Sequence, residues 1–185
     1  MTPDSTSIVF DTGPLRHFAV QNWLGVLKFL TNDRTVYIPD TVERELRNGV
    51  NHEAGIAAAL DADWIHVFRS DEFAYTQAFG RYYDLLVADG KNIGECGVLA
   101  MGEVFGSELV LDDSTPRSMA EDRGLPVTAT VPILCSAIRE KKLTTPMVES
   151  LADDLLSGSY YLPFKPGGFR AHVLENGLLD YYDLL

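Results

Sequence analysis

Residues 108–134 read ELVLDDSTPRSMAEDRGLPVTATVPIL, and this stretch alternates between two kinds of pattern. Runs rich in β-branched and other apolar residues at 108–111 and 126–128 predict two strands. The segments that follow them, 115–123 and 131–141, predict two helices. Strands joined through a helix are typical of a parallel sheet, because a parallel pair needs a long crossover connection.

The same alternation extends over the rest of the chain. Further strands are predicted at 7–10, 35–38 and 64–68, and further helices at 14–30, 40–49, 51–60, 71–87 and 92–105. We therefore predict an α/β fold with three layers, α/β/α, in which helices cover both faces of a mainly parallel five-stranded sheet.

Composition places the chain among globular proteins. Of its 185 residues, 46% are hydrophobic and 23% are charged, so we expect one folded domain and exclude extended disorder. The proline- and glycine-rich stretch 157–168 divides a main domain, 1–157, from an appendage, 158–185, that we expect to pack on it. No apolar run approaches a membrane span, and the N-terminus does not resemble a signal peptide, so we expect a cytoplasmic protein without membrane contact.

The charge balance is strongly acidic. The chain has 15 Lys and Arg against 27 Asp and Glu, which gives a formal net charge of -12. Such a charge repels nucleic acid at long range. Most of these acids are expected to serve solubility, and the alternative is that some of them cluster to bind cations. Composition does not decide between the two, so the positions of the acids have to be considered.

Acidic residues follow two of the predicted strands at the points where these strands end. Asp11 comes directly after the strand at 7–10, and Asp112 and Asp113 come directly after the strand at 108–111. The carboxyl ends of parallel strands meet in one crevice, where such sheets bind their ligands. An alternative is that Asp11 and Asp113 cap the helices after them, and position alone leaves both interpretations open.

Two helical glutamates are further candidates, and each has a structural alternative. Glu45 and Glu43 both flank the apolar stripe of the helix at 40–49, so helical periodicity does not separate them. Glu43 is spaced from Asp40 as a capping box, which gives it a structural task. Glu95 follows Asn92 at the same spacing, and taken alone it too is better explained as part of a cap.

Several other chemistries lack their motifs. The sequence has no GxGxxG, GxxxxGK[ST] or GxSxG segment, which argues against dinucleotide binding, a P-loop and an α/β-hydrolase. Its four histidines and two cysteines show no metal-binding spacing. Phosphorylation of Asp11 is disfavoured, because Gly13 stands where a haloacid-dehalogenase-like fold needs an acid and residues 126–130 lack the lysine of a receiver.

Taken in order, five segments of the chain resemble one family. They are IVFDTGPL (8–15), IPDTVERELRNG (38–49), NIGECGVLAMG (92–102), LVLDDSTPRSMAEDRGLPVTATVPIL (109–134) and KKLT (141–144). The ordered set resembles the PIN-domain family of metal-dependent ribonucleases, and within it the VapC-like toxin branch with an extended C-terminus. The resemblance runs from residue 8 to about residue 157 and implies the parallel five-stranded sheet predicted above.

The resemblance also implies an activity and a set of site residues. The acids that match those of the family are Asp11, Glu45, Glu95 and one of Asp112 and Asp113. Glu45 is thereby selected over Glu43, whereas the register between the last two acids stays open. Carboxylates without His or Cys suit Mg²⁺ or Mn²⁺. The expected function is therefore metal-dependent hydrolysis of RNA phosphodiesters by an endoribonuclease.

The chain departs from the family pattern at three positions. Gly13 stands where the family usually has Ser or Thr, and Gly97 stands where a second acid often follows the matched glutamate. Ala129 replaces a frequent glycine, which we interpret as a minor change. The first two departures keep an alternative open, namely a catalytically inactive PIN-like module that binds nucleic acid or protein.

The resemblance finally implies partners. RNA is the expected substrate, with Thr12, Arg16 and Arg117 as its contacts. VapC-like toxins are held inactive by a cognate antitoxin and frequently form dimers, so we expect a homodimer and an antitoxin segment over the acidic crevice. The tail at 178–185 either contributes to such an interface or packs on its own domain.

Overall fold

Five short parallel strands form the centre of the computed structural model, which describes residues 2–158 and 160–184. The strands are β1 (Ile8–Phe10), β2 (Val36–Pro39), β3 (Ile65–Phe68), β4 (Glu108–Val110) and β5 (Val127–Thr128). Their order in the sheet is β3-β2-β1-β4-β5, and every neighbouring pair is parallel. The predicted mainly parallel five-stranded α/β fold is confirmed.

Helices surround this sheet. They are α1 (Thr12–Val20), α2 (Leu24–Leu30), α3 (Asp40–Val50), α4 (Ala57–Leu60, preceded by a 3₁₀ turn at Ala54–Ile56), α5 (Phe73–Leu86), α6 (Ile93–Phe105), α7 (Ser114–Asp122), α8 (Thr130–Arg139), α9 (Thr145–Ser157) and α10 (Phe169–Glu175). Every residue of β1 and β2 is buried. Since successive side chains of a strand point to opposite faces, helices must cover both faces of the sheet.

Helix α6 occupies the middle of the molecule. It packs against β1, β2 and β4 and also contacts α3, α5 and α7. Its close approach to the sheet depends on small residues, because a Cβ on Gly102 would lie 2.7 Å from Leu109 Cδ1 and a Cβ on Gly97 would lie 2.8 Å from Pro39 Cβ. The first turn of α6 therefore reaches the carboxyl ends of the central strands.

Two predicted helices are interrupted in the structure. The helix predicted at 14–30 is two helices, because Asn22 adopts a left-handed backbone with φ of 61° between α1 and α2. The helix predicted at 51–60 is a 3₁₀ turn followed by the short α4. Left-handed asparagine ends a helix much as glycine does, and this helix end had no glycine or proline to signal it.

The C-terminal segment packs on the rest of the chain. Helix α10 contacts α9, and Leu179 and Leu184 of the tail are buried in the same core as the sheet. Asp183 forms an ion pair with Arg139 at 3.9 Å. These contacts favour packing on the chain's own domain over a free tail. Leu185, the last residue of the predicted tail, lies outside the described residues, as does Ser159 of the predicted appendage.

In the part of the chain that the structure describes, no helix combines the length and the apolar character needed to span a membrane.

Candidate functional site

A cleft lies where the order of the strands reverses. The chain moves from β1 outward to β2 and β3, and it then returns to the other side of β1 to form β4 and β5. Parallel α/β sheets bind ligands at such switch points, beyond the carboxyl ends of the strands. A cleft of about 1020 Å³ opens there, and its walls include the predicted acids Asp11, Glu95, Asp112 and Asp113.

Asp11 is the most deeply buried of these acids. Its residue is 8% exposed, and its Oδ1 atom has no hydrogen-bond partner among the described residues. It stands at the N-cap position of α1, yet its side chain makes no capping hydrogen bond within the described chain, so the capping interpretation is wrong for this side chain. Burial and the nearby charges of Glu95 and Glu45 raise the pKa of Asp11 well above its usual value of 3.8.

Glu95 projects from the first turn of α6 into the same cleft. The predicted capping box with Asn92 does not form, since Asn92 has a left-handed backbone and its side chain donates to Leu86 O at 3.1 Å. Burial raises the pKa of Glu95, and the charges of Glu45 and Asp113 add to the rise. Glu95 is thus a half-buried carboxylate in an acidic environment.

Glu45 holds three helices together beside the cleft. Its carboxylate accepts a hydrogen bond from the Thr12 hydroxyl in α1 and another, at 2.9 Å, from the Gly94 N–H in α6. A Cβ on residue 94 would lie 2.7 Å from Glu45 Oε2, so a larger residue there would displace the Glu45 carboxylate. Both carboxylate oxygens of Glu45 have donors, although its charge still acts on Asp11 and Glu95.

Glu43, the competing candidate on α3, lies away from the cleft. Its residue is 8% exposed, and its carboxylate binds Arg47 at 2.8 Å and also Arg69. Burial acts to raise the pKa of Glu43, but the hydrogen bonds and charges of these two arginines hold it below its usual value. The predicted capping box of Glu43 with Asp40 is wrong, because α3 begins one residue earlier than that motif requires, with Pro39 at the N-cap.

Asp112 is fully hydrogen-bonded. Its carboxylate accepts from Thr130 N at 2.8 Å, from Thr130 Oγ1 at 2.6 Å and from the hydroxyl of Tyr160. Burial raises the pKa of Asp112, and the two bonds from Thr130 oppose the rise. Its backbone carbonyl accepts from Arg117 at 3.2 Å. The side chain of Asp112 therefore connects β4 to α8 and to the C-terminal segment.

Asp113 is exposed and caps α7 by accepting a hydrogen bond from Thr115 N at 2.9 Å. The capping interpretation is thus correct for Asp113, which nevertheless lines the cleft. The register of β1 against β4 sets Phe10 beside Val110, so the two aspartates of β4 lie at successive positions beyond the level of Asp11. The charge of Asp113 acts on Glu95, whereas the carboxylate of Asp112 is held by Thr130.

Two of the three predicted RNA contacts, Thr12 and Arg117, line the cleft, and Arg16 does not. The Thr12 hydroxyl donates to Glu45, and Arg16 pairs with Glu53 at 2.7 Å outside the cleft walls. Arg117 does line the cleft. The predicted position of Arg16 at the crevice is wrong, because its guanidinium binds Glu53 instead.

Sequence analysis missed the contribution of the C-terminal segment. Tyr160 is 8% exposed, its ring stacks on His17 with centroids 4.2 Å apart, and its hydroxyl reaches Asp112. The next residue, Tyr161, also lines the cleft and is 83% exposed. The only signal in the sequence was an aromatic pair in a stretch rich in glycine and proline, which does not indicate what the pair contacts.

The departures from the family pattern have different structural reasons. A Cβ on Gly97 would lie 2.5 Å from Thr41 Oγ1, so a side chain does not fit between α6 and α3. A Cβ on Gly13 would lie 3.9 Å from both Asp11 Oδ2 and a ring carbon of Tyr160, which is ordinary contact. Ala129 has an extended backbone with φ of -143°, a conformation that does not require glycine.

The acids do not form a compact cluster. Within residues 2–158 and 160–184, no three His, Cys, Asp or Glu side chains stand close enough together to bind one metal ion. The predicted ligands are instead spread over one cleft, with Asp11 and Glu95 influencing each other and Asp112 held apart by its own hydrogen bonds.

One family model matches most of the chain. The DUF3368 family model, described as a PIN domain, matches residues 7–165. Among curated proteins, no sequence matches the chain. Among solved structures, the crystal structure of VapBC2 from Rickettsia felis bound to a DNA fragment from their promoter is similar over 66% of this chain and 97% of that chain, with 14% identity and a TM-score of 0.45. Since the family model spans most of the sequence, the chain belongs to the PIN-domain family, whose members are generally nucleases.

Proposed function

We propose that this PIN domain is an endoribonuclease that depends on Mg²⁺ or Mn²⁺. The observation that carries the proposal is Asp11 Oδ1, a buried carboxylate oxygen without a hydrogen-bond partner in the described chain, at the switch point of the sheet. A buried carboxylate of this kind needs either a proton or a cation, because burial penalises an uncompensated charge. The adjacent Glu95 favours a divalent cation, since one cation would offset two charges.

The donor atoms fit a hard cation. Mg²⁺ usually keeps several waters and is bound through one or two carboxylates together with substrate phosphates, so it does not need three protein ligands in contact. Asp11 and Glu95 are the proposed ligands, and Asp113 is the exposed acid on the same side of the cleft. Asp112 and Glu45, whose oxygens accept hydrogen bonds from the chain, are proposed to position these acids.

The surrounding residues prepare the site for an anionic substrate. Held by Asp11 and Glu95, Mg²⁺ or Mn²⁺ would lower the pKa of a bound water molecule and polarise a phosphoryl oxygen of the substrate. Glu45 fixes the first turn of α6 by accepting the Gly94 N–H, which holds Glu95 opposite Asp11. Arg117 supplies a positive charge to the cleft wall, where it is suited to contact a phosphate of the substrate. The preference for RNA rests on the family resemblance.

The test compares the wild type with two matched variants. Asp11→Asn keeps the size of the side chain and removes the charge, and Asp63→Asn does the same at an exposed residue near the amino end of β3. We expect Mn²⁺ to raise the Tm of the wild type and of Asp63→Asn, but not that of Asp11→Asn. RNA cleavage, measured on highly purified protein with and without EDTA, should fall by more than about 100-fold in Asp11→Asn only.

Full cleavage by Asp11→Asn would contradict the proposal. A wild type with neither a metal-dependent rise in Tm nor RNA cleavage would instead support the alternative of an inactive binding module, for which Gly97 is the structural argument.

We further propose that the nuclease acts as a VapC-like toxin whose cognate antitoxin covers the acidic cleft, and that the toxin is a homodimer. This part of the proposal rests on the resemblance of the five ordered segments to the VapC-like branch. The same variants test it: expression of the wild type and of Asp63→Asn should stop the growth of a bacterial host, and Asp11→Asn should not. Harmless expression of a wild type that cleaves RNA in vitro would contradict the assignment as a toxin.

A further inference from the structure

Tyr161 is an exposed aromatic residue on the wall of the proposed nuclease cleft. Its residue is 83% exposed, while Tyr160 and Leu162 on either side are 8% and 4% exposed. Both neighbours pack into the core, and the side chain between them lies on the surface, where it lines the cleft. The ring of Tyr161 is therefore directed away from the core by the burial of its two neighbours.

The backbone that carries Tyr161 is held in place from the cleft floor. Tyr160 stacks on His17 of α1, and its hydroxyl donates to the carboxylate of Asp112 at the end of β4. The segment is thus anchored to helix α1 and to the aspartate that follows β4. A ring presented on an anchored backbone loses little conformational freedom when a ligand stacks on it.

We propose that Tyr161 is a substrate-positioning residue whose ring stacks on one nucleobase of the bound RNA, an inference that rests on the proposed nuclease function. Aromatic side chains bind single-stranded nucleic acid through the faces of the bases, whatever the sequence. In a duplex, neighbouring base pairs cover these faces, so the ring cannot stack on a base within the double helix.

The charges of the cleft agree with a nucleotide as the occupant. Arg117 lies on the wall that follows β4 and is available to a phosphate, and Asp11 and Glu95 lie at the cleft floor as the proposed cation ligands. A phosphate held by Arg117 leaves the base free to reach the exposed ring of Tyr161. An antitoxin peptide would also contact Tyr161, and the experiment below separates the two occupants.

The test measures binding rather than cleavage, so that it does not depend on activity. A fluorescently labelled single-stranded RNA of mixed sequence is titrated, in Mg²⁺ buffer, with protein that carries Asp11→Asn. Adding Tyr161→Ala should weaken binding about tenfold, the scale of one lost base stack, and Tyr161→Phe should stay within about twofold. Tyr182→Ala is the matched control, because Tyr182 is 82% exposed on the tail and does not line the cleft.

The strand state of the RNA provides the second readout. Annealing the same RNA to its complement should weaken binding to protein with Tyr161 intact and should make no further difference once Tyr161→Ala is present. Equal single-strand affinity with and without Tyr161→Ala, the result expected if Tyr161 serves a protein partner, would overturn the inference. So would an equal loss in Tyr182→Ala. If no variant cleaves RNA, the proposed function fails while this binding comparison can still be read.

Discussion

The two strand ends that meet at the cleft carry aspartates in opposite situations. Asp11, after β1, is buried with Oδ1 lacking any hydrogen-bond donor among the described residues. Asp112, after β4, receives three hydrogen bonds, from Thr130 twice and from Tyr160. Burial raises the pKa of both carboxyl groups, and the bonds from Thr130 oppose the rise for Asp112. For Asp11 the backbone N–H groups of Thr12 and Gly13 also oppose it, but burial and the charges of Glu95 and Glu45 still hold its pKa well above the usual value.

An aspartate at the end of a strand is therefore not assigned a function by its position alone. A buried carboxylate whose oxygens all accept hydrogen bonds contributes to the structure, because its removal leaves donors without acceptors. A buried carboxylate without donors destabilises the structure unless something else binds it. On this basis Asp11 is the better candidate for a metal ligand, and Asp112 is the better candidate for a structural residue.

The largest effect on stability is expected for Asp112→Ala. This substitution leaves the N–H and hydroxyl of Thr130 and the hydroxyl of Tyr160 without their acceptor. We expect the free energy of unfolding to fall by about 3 kcal/mol, since each buried donor left without a partner costs roughly 1–3 kcal/mol and a partly accessible one costs less. In a domain of this size the Tm should fall by roughly 6–12 °C, which differential scanning calorimetry measures directly.

The same variant shows whether the comparison holds for metal binding. If Asp112 is structural, Mn²⁺ should still raise the Tm of Asp112→Ala by as much as it raises that of the wild type. Loss of the Mn²⁺ effect with little change in the metal-free Tm would reverse the roles assigned to the two aspartates.

A smaller effect is expected in the pH dependence of the metal-free protein. The folded pKa of Asp11 lies above its unfolded value, which is close to 3.8. Asp11 therefore contributes stability that is fully present below pH 3.8 and is lost as the pH rises through the raised folded pKa. Asp11→Asn does not titrate at this residue, so the Tm of the wild type relative to Asp11→Asn should decrease across that interval.

Thermal melts in EDTA over a series of pH values measure this difference. Asp63→Asn serves as the control and should follow the wild type, because Asp63 is exposed near the opposite end of the sheet. A wild type that gains stability relative to Asp11→Asn as the pH rises would show that the carboxylate has a compensating partner.

The smallest effect is expected for Gly13→Ser, which gives Asp11 a donor of the kind that Thr130 gives Asp112. A Cβ at this position would lie 3.9 Å from Asp11 Oδ2, so the serine side chain fits beside the carboxylate. In the absence of metal, we expect the free energy of unfolding to rise by about 0.5–1 kcal/mol. The new hydrogen bond contributes to this rise, and so does the replacement of a glycine, which is unfavourable in a helix. Chemical denaturation in EDTA measures the change.

A useful control is Gly13→Ala, which changes the helix propensity without supplying a hydroxyl. If serine and alanine stabilise the protein equally, the serine hydroxyl does not reach Asp11. Asp11 then still lacks the side-chain hydrogen bond that Asp112 receives from Thr130.

The sheet was predictable from the sequence because its strands are short, buried and separated by helical segments. Fully buried parallel strands are encoded as continuous apolar runs, and the stretches at 8–10 and 109–111 are such runs. The boundary between α1 and α2 was not predictable, because it depends on a left-handed asparagine rather than on glycine or proline. Local sequence patterns therefore predicted the presence of strands and helices better than the residues at which they end.

The sequence predicted which acids line the cleft, but not which hydrogen bonds they form. Positions at strand ends and the family resemblance brought Asp11, Glu95, Asp112 and Asp113 into one cleft. The donors to Asp112 come from residues 18 and 48 positions away in the sequence, so no local pattern indicates which aspartate they satisfy. The role of the C-terminal segment was missed for the same reason.

The tight packing at Gly97 has a consequence for how this site can change over generations. A second acid at this position would overlap Thr41 Oγ1 and the ring of Pro39, which leave only 2.5–2.9 Å to a Cβ. Such an acid becomes acceptable only after α6 has moved or the residues at 39 and 41 have become smaller. We therefore expect an acid at residue 97 to be epistatic with residues 39 and 41, since it fits only once the packing between α6 and α3 has been loosened.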